Sequence, residues 1–305
     1  MRGQNVRFYM VDVFAREPLS GNPLSLVVDA QDLSRETMQR IAREFNQSET
    51  TFLLPATRPH IDWRLRSFTP MGVEVGGAGH NALGAWWWLA EAGWLTLSGP
   101  RTVFQQEIGE QVLPVEVLAE QEEEGGQWRP IAIGMKQDAP SFGAIHTNPG
   151  KLAAALGLET VDLTVEDLPA QVVSTGAAHL LVPVRNREAI NHAQPETKSL
   201  FEELRSVGGE GCYLFSLDPV DPESVAHTRF FNPTVGIAED PATGTAAGPL
   251  TCYLAKYNRI ASQARVIIEQ GDALQRPSRI EMRLHDDEVR IFGAGVTVAE
   301  GVLRL

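Results

Sequence analysis

Three short stretches set reactive side chains among small or polar neighbours. Ser48-Glu49-Thr50 places a carboxylate where a polar loop runs into the apolar, β-branched stretch Thr51 to Leu54. GGAGHNALG, Gly76 to Gly84, places an imidazole, His80, at the head of an apolar segment. AEDPATGTAAGPL, Ala238 to Leu250, sets Glu239 and Asp240 just before threonine, glycine and alanine. A half-buried Glu49 suits a general base that must also return its proton; the residues alone equally allow a solvated loop acid. A histidine at a glycine-rich helix start loses basicity to the helix dipole and serves as a neutral donor or relay, unless it is simply packed. Asp240 reads as a helix cap that can also accept a hydrogen bond from a substrate or from His80. Glu239 reads as solvent-facing or structural.

The elements around these residues explain the placement. NVRFYMVDVF and LSLVV read as strands. The segment after Ser34 is an amphipathic helix, with Met38, Ile41, Ala42 and Phe45 at helical spacing and an end near Asn46. IDWRLRSFT alternates as a strand, with Ile61, Trp63, Leu65 and Ser67 on one face. ALGAWWWLA, Ala82 to Ala90, is apolar all round, which predicts a helix enclosed by other structure. Trp86, Trp87 and Trp88 then belong to packing rather than to ligand stacking. Strands follow in RTVFQQ, EQVLPVEVL and RPIAIGM, with the acidic EQEEEGGQ as a solvated hairpin tip. The second half repeats the scheme: a helix beginning near Pro149, two strands broken at Ser174-Thr175-Gly176, an amphipathic helix near 195–207, two strands, an apolar helix containing Pro249, and closing strands.

Two segments align: RSFTPMGVEVGGAGHNALG and RFFNPTVGIAEDPATGTAAG. Arg66 meets Arg229, Phe68 meets Phe231 and Pro70 meets Pro233; with one residue inserted, Gly72 meets Gly236 and Gly84 meets Gly248. Each copy reads strand, turn, small-residue loop, apolar helix, as a duplication would give. A helix N-terminus carries unpaired N–H groups and a partial positive charge. Small residues there let an anion come close, so two such starts can hold a carboxylate or a developing enolate. The pattern points to proton transfer beside a carboxylate.

Bulk properties narrow the class. The chain has 305 residues, 43% hydrophobic and 21% charged, enough for two domains of roughly 150 residues each. No apolar run approaches the roughly 20 residues of a membrane span, and the start of the chain reads as a strand rather than a leader, which predicts a cytoplasmic protein. A net charge of −13 argues against nucleic acid and membrane surfaces as partners. Cys212 and Cys252 have no metal-ligand spacing and read as buried free thiols. His60, His146, His179, His192 and His227 read as structural or surface residues.

With SETTF (Ser48 to Phe52), GHNALG (Gly79 to Gly84) and EDPATGTA (Glu239 to Ala246), the chain resembles the PhzF-like isomerases of phenazine biosynthesis, a family grouped with diaminopimelate epimerases and proline racemases. SGNPLSLV (Ser20 to Val27) and VSTGAAHLLVPV (Val173 to Val184) fit it too, so the likeness spans nearly the whole chain. The resemblance implies an α+β, diaminopimelate epimerase-like fold: two pseudo-symmetric domains, each a β-barrel-like sheet around a central helix, with the active site between them. The domains are expected at 1–118 with a returning strand at 293–305, and at 119–292. It further implies a homodimeric isomerase without cofactor or metal. Glu49 takes the place of the proton-shuttling acid/base, and His80 and Asp240 line the site. Thr243, Gly244 and Thr245 bind the substrate carboxylate, with Asn22, Gly79, Asn81 and Gly176 also near the substrate. The related racemases use two facing cysteines; here Ala78 and Pro241 stand near those places, so two-thiol chemistry is excluded. The expected reaction is movement of a proton on a small carboxylate resembling a dihydro-hydroxyanthranilate. The alternatives are an amino-acid epimerase or racemase working without cysteines, and a non-catalytic ligand-binding homodimer.

Overall fold

A computed structural model describes residues 5–123, 125–165 and 167–305. Met1 to Gln4, ahead of the first expected strand, and Glu124 of the expected hairpin tip lie outside the described residues. The chain divides into two compact units, Met1–Met135 with Phe292–Leu305, and Lys136–Ile291. The boundary falls later than the expected 118/119. The strand there runs on to Gln121 and pairs antiparallel with the next, so a cut at 118 would split a hairpin.

In the first unit β1 (Asn5–Val13) pairs antiparallel with β2 (Asn22–Val27) on one side and with the C-terminal strand Gly295–Arg304 on the other. Helix α1 (Arg35–Phe45) carries the chain over to β3 (Thr50–Leu54), which is parallel to β2. β3 is followed by antiparallel β4 (Trp63–Phe68) and the two-residue β5 (Glu74–Val75). Helix α2 (His80–Glu91) then crosses to β6 (Arg101–Ile108), parallel to β4, and β7 (Gln111–Gln121) and β8 (Trp128–Lys136) follow as antiparallel hairpins. Ser34 caps α1 through the Thr37 amide and Asn46 ends it in the left-handed conformation, as the spacing predicted.

The second unit repeats this order. β9 (Ser141–Ile145) and α3 (Pro149–Leu156) lead into β10 (Gln171–Ser174), antiparallel to both β9 and β11 (Ala178–Pro183). Helices α4 (Arg187–His192) and α5 (Thr197–Val207) cross to β12 (Gly211–Ser216), parallel to β11. β13 (Ser224–Asn232) and β14 (Ile237–Asp240) follow antiparallel, and α6 (Gly244–Lys256) crosses to β15 (Gln263–Gln270), parallel to β13. β16 (Ser278–His285) pairs with β15, and β17 (Glu288–Gly293) precedes the returning strand. Thus β1 to β7 with α1 and α2 correspond to β10 to β16 with their helices.

The central helices are enclosed by their own strands. α2 packs on β1, β2, β3, β7 and the C-terminal strand; α6 packs on β10, β11 and β16. Trp86 is fully buried, donates its indole N–H to Gln106 Oε1 at 2.9 Å and stacks on Phe104. Trp88 is buried against Tyr9 and Trp94, so Trp86 and Trp88 serve packing. α6 continues through Pro249, which is buried in it.

The matched positions share causes. Gly72 and Gly236 both turn the chain with positive φ, 80° and 79°. A Cβ on Gly84 would lie 2.6 Å from Leu24 Cδ2, and one on Gly248 would lie 1.6 Å from Gln137 Oε1. Both glycines are therefore places where a central helix is approached too closely for any side chain. Arg66 grips Glu74 with two bonds, 2.6 and 2.9 Å, and Arg229 grips Glu239 with two of 2.8 Å. Each clamp ties a strand to the short strand folded back on it. β5 and β14 therefore stand where a loop was expected, and Glu239 takes the structural of its two readings.

Candidate active site

The first unit brings Ser48, Glu49 and His80 together. Glu49 immediately precedes β3, and His80 is the first residue of α2. His80 Nδ1 lies 4.0 Å from Glu49 Oε2, and Ser48 Oγ lies 3.4 Å from His80 Nε2. The side chains are 11% and 19% exposed for His80 and Glu49, so the pair is shielded but reachable. Burial pushes the His80 imidazole down to about 4, leaving it neutral at pH 7. The cause is desolvation, where the dipole was expected to act. A neutral imidazole has one donor and one acceptor nitrogen, as a relay requires.

Asn81, expected near substrate, is turned inward. Its Oδ1 accepts from the Gly79 and Ala82 amides at 2.6 and 2.9 Å. Its Nδ2 donates to Ser67 Oγ and the Gly77 carbonyl, both at 3.1 Å. With both oxygen sites and both donors engaged, the side chain shapes the loop entering α2. Ser67 is bonded in turn to Thr51 Oγ1 at 2.9 Å, which ties the loop to the strand that follows Glu49. Asn22 is buried at the start of β2, opposite Val13.

In the second unit Asp240 ends β14, and the helix cap falls on Thr243 rather than on Asp240. The Thr243 hydroxyl donates to Asp240 Oδ2 at 2.5 Å. Gln270 braces this corner: its Nε2 donates to the Asp240 carbonyl at 2.7 Å, and its Oε1 accepts from the Thr243 amide at 3.1 Å and the Tyr213 hydroxyl at 3.0 Å. Gln137 donates to the Gly244 carbonyl at 2.9 Å and accepts from Thr175 Oγ1 at 2.7 Å. Gly176, exposed beside it, has φ of 130° and donates its amide to Ser174 Oγ. The Thr245 hydroxyl lies 3.4 Å from His179 Nε2.

The helix starts differ by location. α1, α3, α4 and α5 are capped by the side chains of Ser34, Asn148, Asn186 and Glu196. α2 and α6, beginning after Gly79 and Thr243, have no side-chain cap. Their first amides, His80 and Asn81 in one and Gly244 and Thr245 in the other, have no intrahelical acceptor and can receive an anion.

Other candidate chemistry falls away. Cys212 and Cys252 are buried, and burial raises both thiols, Cys252 to about 12, the reverse of what an acid/base thiol needs. His227, Glu269 and Asp272 form a cluster with metal-ligand atom types. Glu269 already accepts from the Val220 and Asp221 amides at 2.6 and 3.0 Å and bonds His227 Nδ1 at 2.8 Å, so it serves as a brace for that turn. Sequence reasoning assigned no role to Ser48, Gln137 or Gln270 and read His179 as structural or surface. Ser48 and His179 lie inside the matching stretches; the two glutamines are brought in by distant strands, with no local signal.

The fold thus repeats one arrangement of strands around a buried helix, and in the first unit it sets a carboxylate and an imidazole together at a helix start without a side-chain cap. Comparison with known proteins identifies the family. The family model described as "Phenazine biosynthesis-like protein", PhzC-PhzF, matches residues 11–301. The trans-2,3-dihydro-3-hydroxyanthranilate isomerase of Pseudomonas aeruginosa is 34% identical over 306 residues, covering 97% of this chain and 98% of that one. The crystal structure of a Bacillus anthracis phenazine biosynthesis protein of the PhzF family superposes with a TM-score of 0.87 at 30% identity, over 99% of this chain and all of the other. A hydroxyproline epimerase from Agrobacterium vitis shares the fold, with a TM-score of 0.64 at 12% identity over 100% and 93% of the two chains. The chain belongs to the PhzF family and is an isomerase.

Proposed function

We propose that this isomerase moves a proton on a small, unsaturated carboxylate resembling dihydro-hydroxyanthranilate, with Glu49 as the shuttle. The observation that carries the reading is the Glu49–His80 pair at the uncapped start of α2. Glu49, as the carboxylate, takes a proton from an sp³ carbon conjugated through a double bond to the carboxyl group. The C–H electron pair spreads into that system and its negative charge collects on oxygen. The acid proton of the partly exposed Glu49 exchanges with solvent, and Glu49 then delivers a proton to another carbon of the same system, so the bond order shifts and the composition is unchanged. Neutral His80 offers an N–H to the charge that develops, and Ser48 holds the ring through Nε2. Amides without an intrahelical acceptor at the start of α2 suit an oxyanion developing beside Glu49, and those at the start of α6 suit a carboxylate. Asp240, held by Thr243 and Gln270, is a fixed acceptor for an amino or hydroxyl group of the substrate. The reading calls for no cofactor and includes a homodimer.

The test is turnover of trans-2,3-dihydro-3-hydroxyanthranilate followed by proton NMR in deuterated water, beside a panel of amino acids. Loss of one vinyl signal with deuterium entering the product at one carbon supports the reading. Inversion at the α-carbon of an amino acid, with the dihydro compound untouched, replaces it with epimerisation.

A further inference from the structure

His179 stands apart from the groups used above, yet it touches one of them. It lies on β11, is 3% exposed, and its Nε2 is 3.4 Å from the Thr245 hydroxyl on the first turn of α6. The ring packs edge-on against Phe230, with centroids 5.0 Å apart. Its Nδ1 is buried with no hydrogen-bond partner among the described residues. That nitrogen faces Gly211, where an added Cβ would come within 3.1 Å of it. Burial also pushes the imidazole down to about 4, so the ring is neutral at pH 7. A neutral imidazole carries its proton on one nitrogen only. An orphaned buried N–H is rarer in folded proteins than an under-used acceptor, so the proton belongs on Nε2.

The consequence falls on Thr245. An Nε2–H donates to the Thr245 oxygen and fills its acceptor role. The same hydroxyl makes no other hydrogen bond among the described residues, unlike Thr251, whose hydroxyl is tied to the Ala247 carbonyl at 2.9 Å. The Thr245 proton is therefore left available to an acceptor from outside the chain, at a residue that is itself partly exposed.

We propose that His179 is a positioning residue that fixes the Thr245 hydroxyl as a donor to an anion at the start of α6. This rests on the reading of that helix start as a carboxylate holder. The first test needs no ligand. Nitrogen-15 NMR of the histidine side chains, with the His179→Gln variant for assignment, should show the proton on Nε2 of His179 and none on Nδ1; a proton on Nδ1 overturns the proposal. The second uses anthranilate as the probe, titrated calorimetrically. Thr245→Val and His179→Leu should each weaken binding roughly tenfold. Their double variant should be no weaker than either, and His179→Gln, which keeps a donor, should recover most of the loss. Multiplying losses in the double variant, or wild-type affinity in His179→Leu, overturns it. Wild-type affinity in Thr245→Val refutes the carboxylate-holding reading instead, and the tautomer reports on His179 independently of that outcome.

Discussion

His80 Nδ1 sits 4.0 Å from Glu49 Oε2, and the imidazole is held neutral by its burial at the head of α2. A neutral ring can lend a proton without presenting a fixed positive charge to the base. Because it titrates near 4, the pH profile of turnover should show no break near 6.5 arising from His80. His80→Phe should lower turnover by about 10²-fold, the lower range for a proton-transfer group. Steady-state rates from pH 5.5 to 9 for both proteins check this.

Stability should fall in mild acid for an identifiable reason. His80 and His179 both titrate near 4 when folded, against 6.5 when unfolded. Between those values the unfolded chain binds more protons, so stability declines as the pH falls from about 6.5 toward 4 and then levels off for these two groups. Each contributes at most about 3 kcal/mol. Urea midpoints across this window should drop, and His179→Leu should make the drop shallower.

The arginine clamps should differ in worth. Arg229 is 9% exposed, grips Glu239 and also donates to the Ile190 and Ala193 carbonyls at 3.0 and 2.9 Å. Arg66 is 19% exposed, and Arg35 lies 3.1 Å from the same Glu74. Removing Arg229 strands a half-buried carboxylate and two carbonyls, whereas Arg35 remains beside Glu74 when Arg66 is removed. Arg229→Met should cost about 3–5 kcal/mol, and Arg66→Met clearly less, measured by urea unfolding.

Gly248→Ala should act through Gln137. The new methyl would collide with the Gln137 amide, which bridges the Gly244 carbonyl and Thr175. We expect a loss of about 1–3 kcal/mol, the range for inserting volume into a packed site. Gln137→Ala in the same background should relieve part of it in thermal melts.

Much of this architecture was legible in the sequence because its causes are local. Ser34 and Asn46 bracket α1 by their own chemistry, and the apolar run after His80 demanded an enclosed helix. The pairings of Gly72 with Gly236 and Gly84 with Gly248 were visible because glycine suits the positive φ of the first pair and the close side-chain approach at the second. What remained hidden depends on distant partners. β5 and β14 are too short for alternation to show and are held by arginines several residues away. Asn81 reads as a free polar group at a helix start until Ser67 and Gly77 are brought to it. β9 and α4 carry too few residues for a periodic signal. Gln270 and His179 matter through contacts 27 and 66 residues apart in the chain.

The central claim is that Glu49 carries the proton. The most direct measurement is deuterium incorporation from solvent into trans-2,3-dihydro-3-hydroxyanthranilate, comparing wild type with a folded Glu49→Gln variant. The account predicts incorporation at one carbon with the wild type and a loss of at least about 10²-fold with the variant. Incorporation at the wild-type rate in Glu49→Gln would contradict it.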